Sequence, residues 1–175
     1  MLKVKSGEVD KLGLIYERHK KRLFGFYYNL GNDRMTSEDL VQNAFMRMLK
    51  YKKSYTGEGS FMAWMFRTAR NVHYDYHKKD MKNRNQTDVA DIAYKLEQEV
   101  SDADIMDQND TVAQLQRAMN SLPAAKREVL VLSKFKEMKF SDIGAVLGCS
   151  EGAAKVKAHR ALNDLKIAFE KMQIT

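Results

Sequence analysis

Residues 140–160 read FSDIGAVLGCSEGAAKVKAHR. The stretch predicts two helices joined by a tight turn. Ser141 is placed to cap the first, because a hydroxyl there accepts from a free N–H of the opening turn. Ile143, Val146 and Leu147 follow at helical spacing and give an apolar face. Gly148 comes after them, where a left-handed closing residue is wanted and a Cβ is unwelcome. Cys149 makes the corner, and Ser150 is placed to cap the second helix. Along that helix Ala154, Ala158, Ala161, Leu162 and Leu165 recur at steps of three and four, an inward stripe. Glu151, Lys155, Lys157, His159 and Arg160 fall on the other side. A helical hairpin with a solvated charged face accounts for the spacing alone. The order of cap, apolar run, Gly and second cap is more specific, as is a basic helix after a turn of about three to four residues. Together they favour a helix-turn-helix whose second helix lies in the major groove.

Outward from this motif, the charge of the 175-residue chain is unevenly spread. Residues 1–79 carry 16 basic and 8 acidic side chains, a net +8. Residues 80–110 carry −6 and residues 111–175 carry +5. Two basic blocks flanking an acidic middle fit two nucleic-acid-contacting modules on a tether. One cysteine permits no internal disulfide and points to a reducing, cytoplasmic compartment. No apolar run approaches the length of a spanning helix, and the N-terminus lacks the apolar core of a signal peptide. One proline and few β-branched runs predict an all-α chain. The expected architecture is two small helical bundles, residues 1–80 and 110–175, joined by a flexible acidic linker over 81–109.

In the first block, Asp10 is placed to cap a helix carrying Leu12, Ile15, Tyr16, His19, Leu23, Tyr27 and Leu30 on one face. Gly31-Asn32-Asp33 ends it. Thr36 or Ser37 caps the next helix, which puts Glu38 and Asp39 in its first turn, where the dipole favours anions. Leu40, Val41, Ala44, Phe45, Met48 and Leu49 form its inner side. YKKSYTGEGS (51–60) reads as a loop with two glycines and two tyrosines. Phe61 opens a long helix with Trp64, Met65, Thr68, Ala69, Val72 and Tyr76 inward. Arg67, Arg70, Asn71, Tyr74, Asp75, His77, Lys78 and Lys79 face the other way. Rings, guanidinium groups and amides interleaved in this manner suit single-stranded nucleic acid, where they meet bases and phosphates. Core packing is the commoner use of Phe61 and Trp64 at that spacing.

His73 and His77 sit at the i, i+4 spacing of a zinc pair, but no acidic or Cys partner completes a site. No metal, cofactor or catalytic residue is expected. Val89, Ile92, Ala93, Leu96 and Val100 give the acidic stretch a weak amphipathic pattern. Beyond it, Asp110 caps a helix with Val112, Leu115 and Met119. Pro123 suits the first turn of the next, whose inner face is Ala125, Val129, Leu132 and Phe135.

SEDLVQNAFMRML (37–49), SYTGEGSFMAWMFRTARNVHYDYHKK (54–79) and LPAAKREVLVLSKFKEMKFSDIGAVLGCSEGAAKVKAHRAL (122–162) occur in an order and spacing that resemble the bacterial RNA polymerase sigma factors of the extracytoplasmic-function group. The resemblance covers nearly all of the chain. It implies a factor that binds core RNA polymerase through the β′ clamp and β flap, binds promoter DNA, and is restrained by an anti-sigma factor, with no membrane insertion. Residue by residue, it implies a polymerase contact at Glu38, Asp39, Gln42 and Phe45. It implies a minus-ten loop shaped by Tyr55, Gly57, Ser60 and Phe61, and a strand-facing row of Arg67, Arg70, Asn71 and Tyr74. Ser150, Glu151, Lys155, Lys157, His159 and Arg160 would face the minus-35 duplex. Gly144 departs from the alanine usual in the first helix of the turn motif. Val156 and Ala158 are smaller or less polar than in many relatives. Two other readings compete: a helix-turn-helix regulator acting without polymerase, and an RNA-processing or nucleotide enzyme. The second needs a carboxylate cluster or phosphate loop that the sequence lacks.

Overall fold

Leu23, Phe26 and Tyr27 are fully buried along α2 (Lys11–Asn29), with Ile15 and Tyr16 half-buried a turn or two before them. The computed structural model describes residues 1–84 and 110–173, and every regular element among them is helical. A short α1 (Leu2–Lys5) precedes α2, and α3 (Arg34–Lys50) and α4 (Phe61–Arg84) complete the first bundle. The second holds α5 (Asp110–Ser121), α6 (Ala124–Leu130), α7 (Phe140–Leu147) and α8 (Glu151–Gln173).

The helix starts follow local hydrogen bonding more closely than apolar spacing. Asp33, not Thr36 or Ser37, caps α3: its Oδ1 accepts from Thr36 N at 2.7 Å and its Oδ2 from Thr36 Oγ1 at 3.0 Å. The helix therefore begins three residues early, Ser37 is buried within it, and Glu38 and Asp39 lie past its first turn. Asp10 stands at the start of α2 but makes no capping bond. Lys139 rather than Ser141 precedes α7. Pro123 sits just before α6 instead of inside its first turn. Gly148 does close α7 in the left-handed conformation (φ 69°, ψ 38°), and Ser150 Oγ accepts from Ala153 N at 3.2 Å at the start of α8.

Each α3 residue expected inside is buried or half-buried. On α8, Ala154, Ala158 and Ala161 are buried, whereas Leu162 is exposed. Tyr76, Phe135, Val112, Leu115 and Ala125 are also exposed, against expectation. For Phe135 the cause is local. Residues Val131–Phe135 form a π-helical turn, whose extra residue per turn rotates Phe135 out of the α6 register. The tether falls mostly on residues outside those described, including the pattern Val89–Val100. Its first four positions, Met81–Arg84, continue α4 past the expected boundary at 80.

The two bundles do not stand apart. α4 packs on α3 along one side and on α7 along another, and the π turn packs on α2. One contiguous core runs through both, joining Leu23, Phe26, Leu40 and Phe66 to Val129, Leu132, Ile143 and Val146. Burying a side chain such as Ile143 contributes roughly 1.5–3 kcal/mol.

The departure at Gly144 has its reason at the turn. A Cβ there would meet Cys149 O at 2.6 Å and two further backbone atoms, Ser150 C and Glu151 N, at 3.3 and 3.4 Å. The turn thus doubles back onto the helix with no side chain between, and the Cys149 N–H donates to Gly144 O at 2.9 Å. Alanine would gain about 1 kcal/mol of helix propensity, but backbone cannot swing aside as a flexible side chain can. Gly144→Ala is therefore expected to destabilise the chain by about 1–3 kcal/mol, read as a lower urea midpoint with unchanged m-value.

Candidate nucleic-acid interface

The loop before α4 is fixed from beneath and free at its tip. Tyr55 is buried, its ring edge-on to Phe61 (5.8 Å between centroids) and tilted against Trp64 (5.2 Å). Its carbonyl accepts from Lys5 Nζ at 2.9 Å. Trp64 Nε1 donates to Ser54 Oγ at 3.3 Å. Ser60 starts α4, its hydroxyl accepting from Ala63 N at 3.4 Å. Between these anchors Thr56, Gly57, Glu58 and Gly59 are exposed. Gly57 (φ 88°) and Gly59 (φ 74°) both take the left-handed backbone that glycine adopts without strain. Tyr55 and Phe61 therefore hold the loop's shape from inside and present no free ring.

Behind the loop lies a concavity of about 520 Å³, lined among others by Tyr51, Ser54, Trp64, Arg67 and Asn71. A second of about 400 Å³ continues it past Arg70 and Tyr74. Arg47 and Asp75 line both and are ion-paired at 2.6 Å, α3 to α4. Arg67 and Asn71 are exposed, while Arg70 is half-buried. Its guanidinium lies over the Tyr74 ring, 4.7 Å from the centroid. Arg70 Nε donates to Glu128 Oε1 at 2.9 Å, and the Tyr74 hydroxyl to Glu128 Oε2 at 3.4 Å. Glu128 comes from α6 and is only 4 % exposed. Burial pushes its carboxyl above the usual carboxylate range, and the Arg70 charge and the two hydrogen bonds offset part of that. The expected strand-facing row is thus divided, with Arg67 and Asn71 open and Arg70 and Tyr74 engaged.

On α3, Glu38, Asp39 and Gln42 are exposed together. Glu38 and Gln42 border a groove of about 490 Å³ with Tyr16, Lys20, Lys21, Phe24 and Val41. Phe45 does not join them. It is buried edge-on to Tyr16 (4.9 Å) and supports the surface from below. On α8, Glu151, Lys155, Lys157, His159 and Arg160 form an exposed row, with Lys155 and Glu151 paired at 2.7 Å. Ser150 is spent on the cap. Val156, 49 % exposed, adds an apolar side chain to that row.

Sequence reasoning missed Glu128, Arg127, Arg47 and Asn32. For Glu128 a signal existed: it lies three residues after Ala125 and four before Leu132, on the stripe read as inward. Arg127 donates to the carbonyls of Leu30 (2.7 Å), Asn120 (2.5 Å) and Leu122 (3.1 Å). Asn32 is buried and donates to Tyr27 O at 2.7 Å. His77 Nε2 lies 3.0 Å from Asn32 Oδ1 and 3.0 Å from His73 Nε2. His73 lines a cavity of about 120 Å³ with Leu30, Tyr74, His77, Ala124, Arg127 and Glu128.

Comparison with known proteins bears on these surfaces. The family model for sigma-70 region 2 matches residues 15–83, and that for sigma-70 region 4 matches residues 113–165. The chain is 26 % identical to the RNA polymerase sigma factor CarQ of Myxococcus xanthus, over 99 % of this chain and 98 % of that one. It is 28 % identical to the ECF RNA polymerase sigma factor SigM of Bacillus subtilis, over 90 % and 94 %. Among solved structures, the sigma factor RpoE of Bartonella quintana, in complex with the anti-sigma factor NepR, is similar in fold. Its TM-score is 0.68 at 21 % identity, over 91 % of this chain and 97 % of that one.

The half-buried imidazole of His73 sets a pH dependence. Burial, then the charges of His77 and Arg127, lower the pKa of His73 from 6.5 to about 4. The unfolded chain takes up this proton from about pH 6.5 downward, the folded chain only near 4. Stability from this group is therefore complete above pH 6.5 and is lost as pH falls toward 4, by up to roughly 3 kcal/mol. His73→Asn is expected to flatten that part of the curve in urea unfolding measured at pH 7 and pH 4.5.

Proposed function

Because the chain belongs to the sigma-70 family of RNA polymerase sigma factors, within its extracytoplasmic-function group, we propose a division of labour among the surfaces described above. The chain directs transcription initiation by RNA polymerase. Glu38, Asp39 and Gln42 dock on the β′ clamp of the core enzyme, and the second bundle meets the β flap. Lys155, Lys157, His159 and Arg160 lie against the minus-35 duplex, with phosphate contacts supplying the salt-sensitive part of the affinity. Glu151 and Val156 face base edges, a carboxylate suiting a cytosine amine and an aliphatic group a thymine methyl. The tip Gly57–Gly59 and the concavity behind it receive an unstacked base of the minus-ten strand. Arg67, Arg70, Asn71 and Tyr74 track that strand.

The observation that carries this assignment is the 520 Å³ concavity, which brings Trp64, Arg67 and Asn71 together behind a loop braced at both ends. Unstacking costs a few kcal/mol per base, and ring, guanidinium and amide contacts there offset it. The chain itself supplies binding, and bond formation belongs to the polymerase. It acts in the cytoplasm, where polymerase and promoter are found. No helix among the described residues is long and apolar enough to cross a membrane. An anti-sigma protein, of the kind bound to the Bartonella factor, is proposed as its restraint. The regulator acting without polymerase is not favoured, since two models of one family together take in more than two thirds of the chain.

Run-off transcription from a promoter library with core polymerase tests the assignment. Initiation from one promoter class is expected, and no stimulation on any promoter would refute it. On a promoter so selected, Lys155→Ala and Arg160→Ala are each expected to reduce the slope of log K against log salt by about one unit.

A further inference from the structure

We propose that α1 is a positioning element for the minus-ten loop, in which Lys5 and Leu2 set the path of the tip (residues 56–59) and through it the choice of base at the captured position. This inference rests on the assignment of the tip to an unstacked base of the minus-ten strand.

Three observations carry it. The first is the latitude of the tip itself. Gly57 and Gly59 both stand in the left-handed region, and glycine moves between backbone regions at little cost. Within the tip the Glu58 N–H donates to Thr56 Oγ1 at 3.2 Å, an exposed bond for which water competes. A loop with two such joints reads a base only if something outside it fixes its path. The second is where α1 touches. Lys5 Nζ donates to Tyr55 O at 2.9 Å, a part-buried bond between residues 50 positions apart. That carbonyl belongs to the peptide joining Tyr55 to Thr56. A planar peptide turns as one body, so a fixed carbonyl fixes the direction in which the chain enters the tip. The ammonium donor makes the bond stronger than a neutral one. Leu2 meets the tip two residues further on. A Cβ at Gly57 would stand 3.0 Å from Leu2 Cδ2 and 3.4 Å from Leu2 Cδ1, whereas one at Gly59 would meet nothing within 4 Å. The tip is thus propped on the α1 side and open on the other. The third is how α1 is held. Its four residues are too few for a helix to persist unaided. Val4 is fully buried, and α1 packs on α2 and on the 3₁₀ turn Lys52–Ser54 that leads into the loop. Leu2 is 55 % exposed. Val4 therefore fastens the element, and Leu2 and Lys5 are left to face the loop.

Neither residue needs to touch DNA. Both act through the tip, by keeping its backbone groups at one distance from the base that enters the concavity behind it. Released from them, the tip samples several positions, and the preferred base loses its advantage over the other three.

The test uses the full chain with core polymerase and a promoter selected from the library. Four templates differ only in the base at the minus-ten position where the unaltered chain discriminates most. The readout is the ratio of the run-off rate on the preferred template to the mean rate on the other three. A partly unfolded variant lowers all four rates together and leaves this ratio unchanged. Lys5→Met removes the donor and keeps the stem, and Leu2→Ala removes the prop at an exposed position. Each is expected to lower the ratio about three- to tenfold. Lys3→Met, at an exposed lysine of the same helix, controls for charge and should leave the ratio unchanged. Thr56→Ala combined with Glu58→Ala alters the tip directly. A ratio lowered by the tip variant but by neither Lys5→Met nor Leu2→Ala overturns the role of α1 and leaves the loop assignment standing. A ratio unchanged in the tip variant as well overturns the loop assignment and this inference with it. A fall with Lys3→Met equal to that with Lys5→Met also overturns it, since bulk charge is then the cause.

Discussion

α4 has to be buried along two sides at once, and the rest of the molecule depends on that constraint. Its Met65, Phe66 and Ala69 lie in a core that reaches α2 and α3 on one hand and α7 on the other. Over its first half the remainder of its circumference is a narrow strip holding Arg67 and Asn71, which widens from Tyr74 and Asp75 onward. A helix packed on two sides over its first half has little freedom to turn there. The polar strip is therefore held at a fixed angle to the loop before it, and Trp64 and Tyr55 fix that loop in turn. Precision in the concavity is a by-product of core packing, which a site built on a loose loop would lack.

The same double burial explains why charge enters the interior at Glu128. A carboxylate needs partners, and the cation and hydroxyl that meet it, Arg70 and Tyr74, both come from α4. Lys155 and its neighbours are exempt, because α8 turns small alanines inward along that stretch and keeps its basic row clear of the seam.

Much of this was legible in the residues. The left-handed Gly148, the Ser150 cap, the alanine stripe and the inner side of α3 all follow from rules that act within one turn of chain. The failures share a cause, which is competition from a group outside the pattern being read. Asp33 displaces Thr36 and Ser37 as the cap because its carboxylate bonds both the amide and the hydroxyl of Thr36. Resemblance puts Phe45 at a contact, although its own spacing with Ala44 and Met48 turns it inward. Phe135 leaves the stripe because a π turn changes the period beneath it. The joined core is a relation between the bundles that the residues leave open, and periodicity has no means of announcing it. An inward stripe states that a face is covered but not which helix covers it, and charge blocks flanking an acidic stretch read naturally as separate bodies.

Arg127 carries one more consequence. Its guanidinium sits on the last carbonyls of α2 and α5 together, at the negative poles of both. Two helix ends about ninety positions apart share a single cationic stopper, so fraying of one loosens the other. Their amide protons are expected to exchange together.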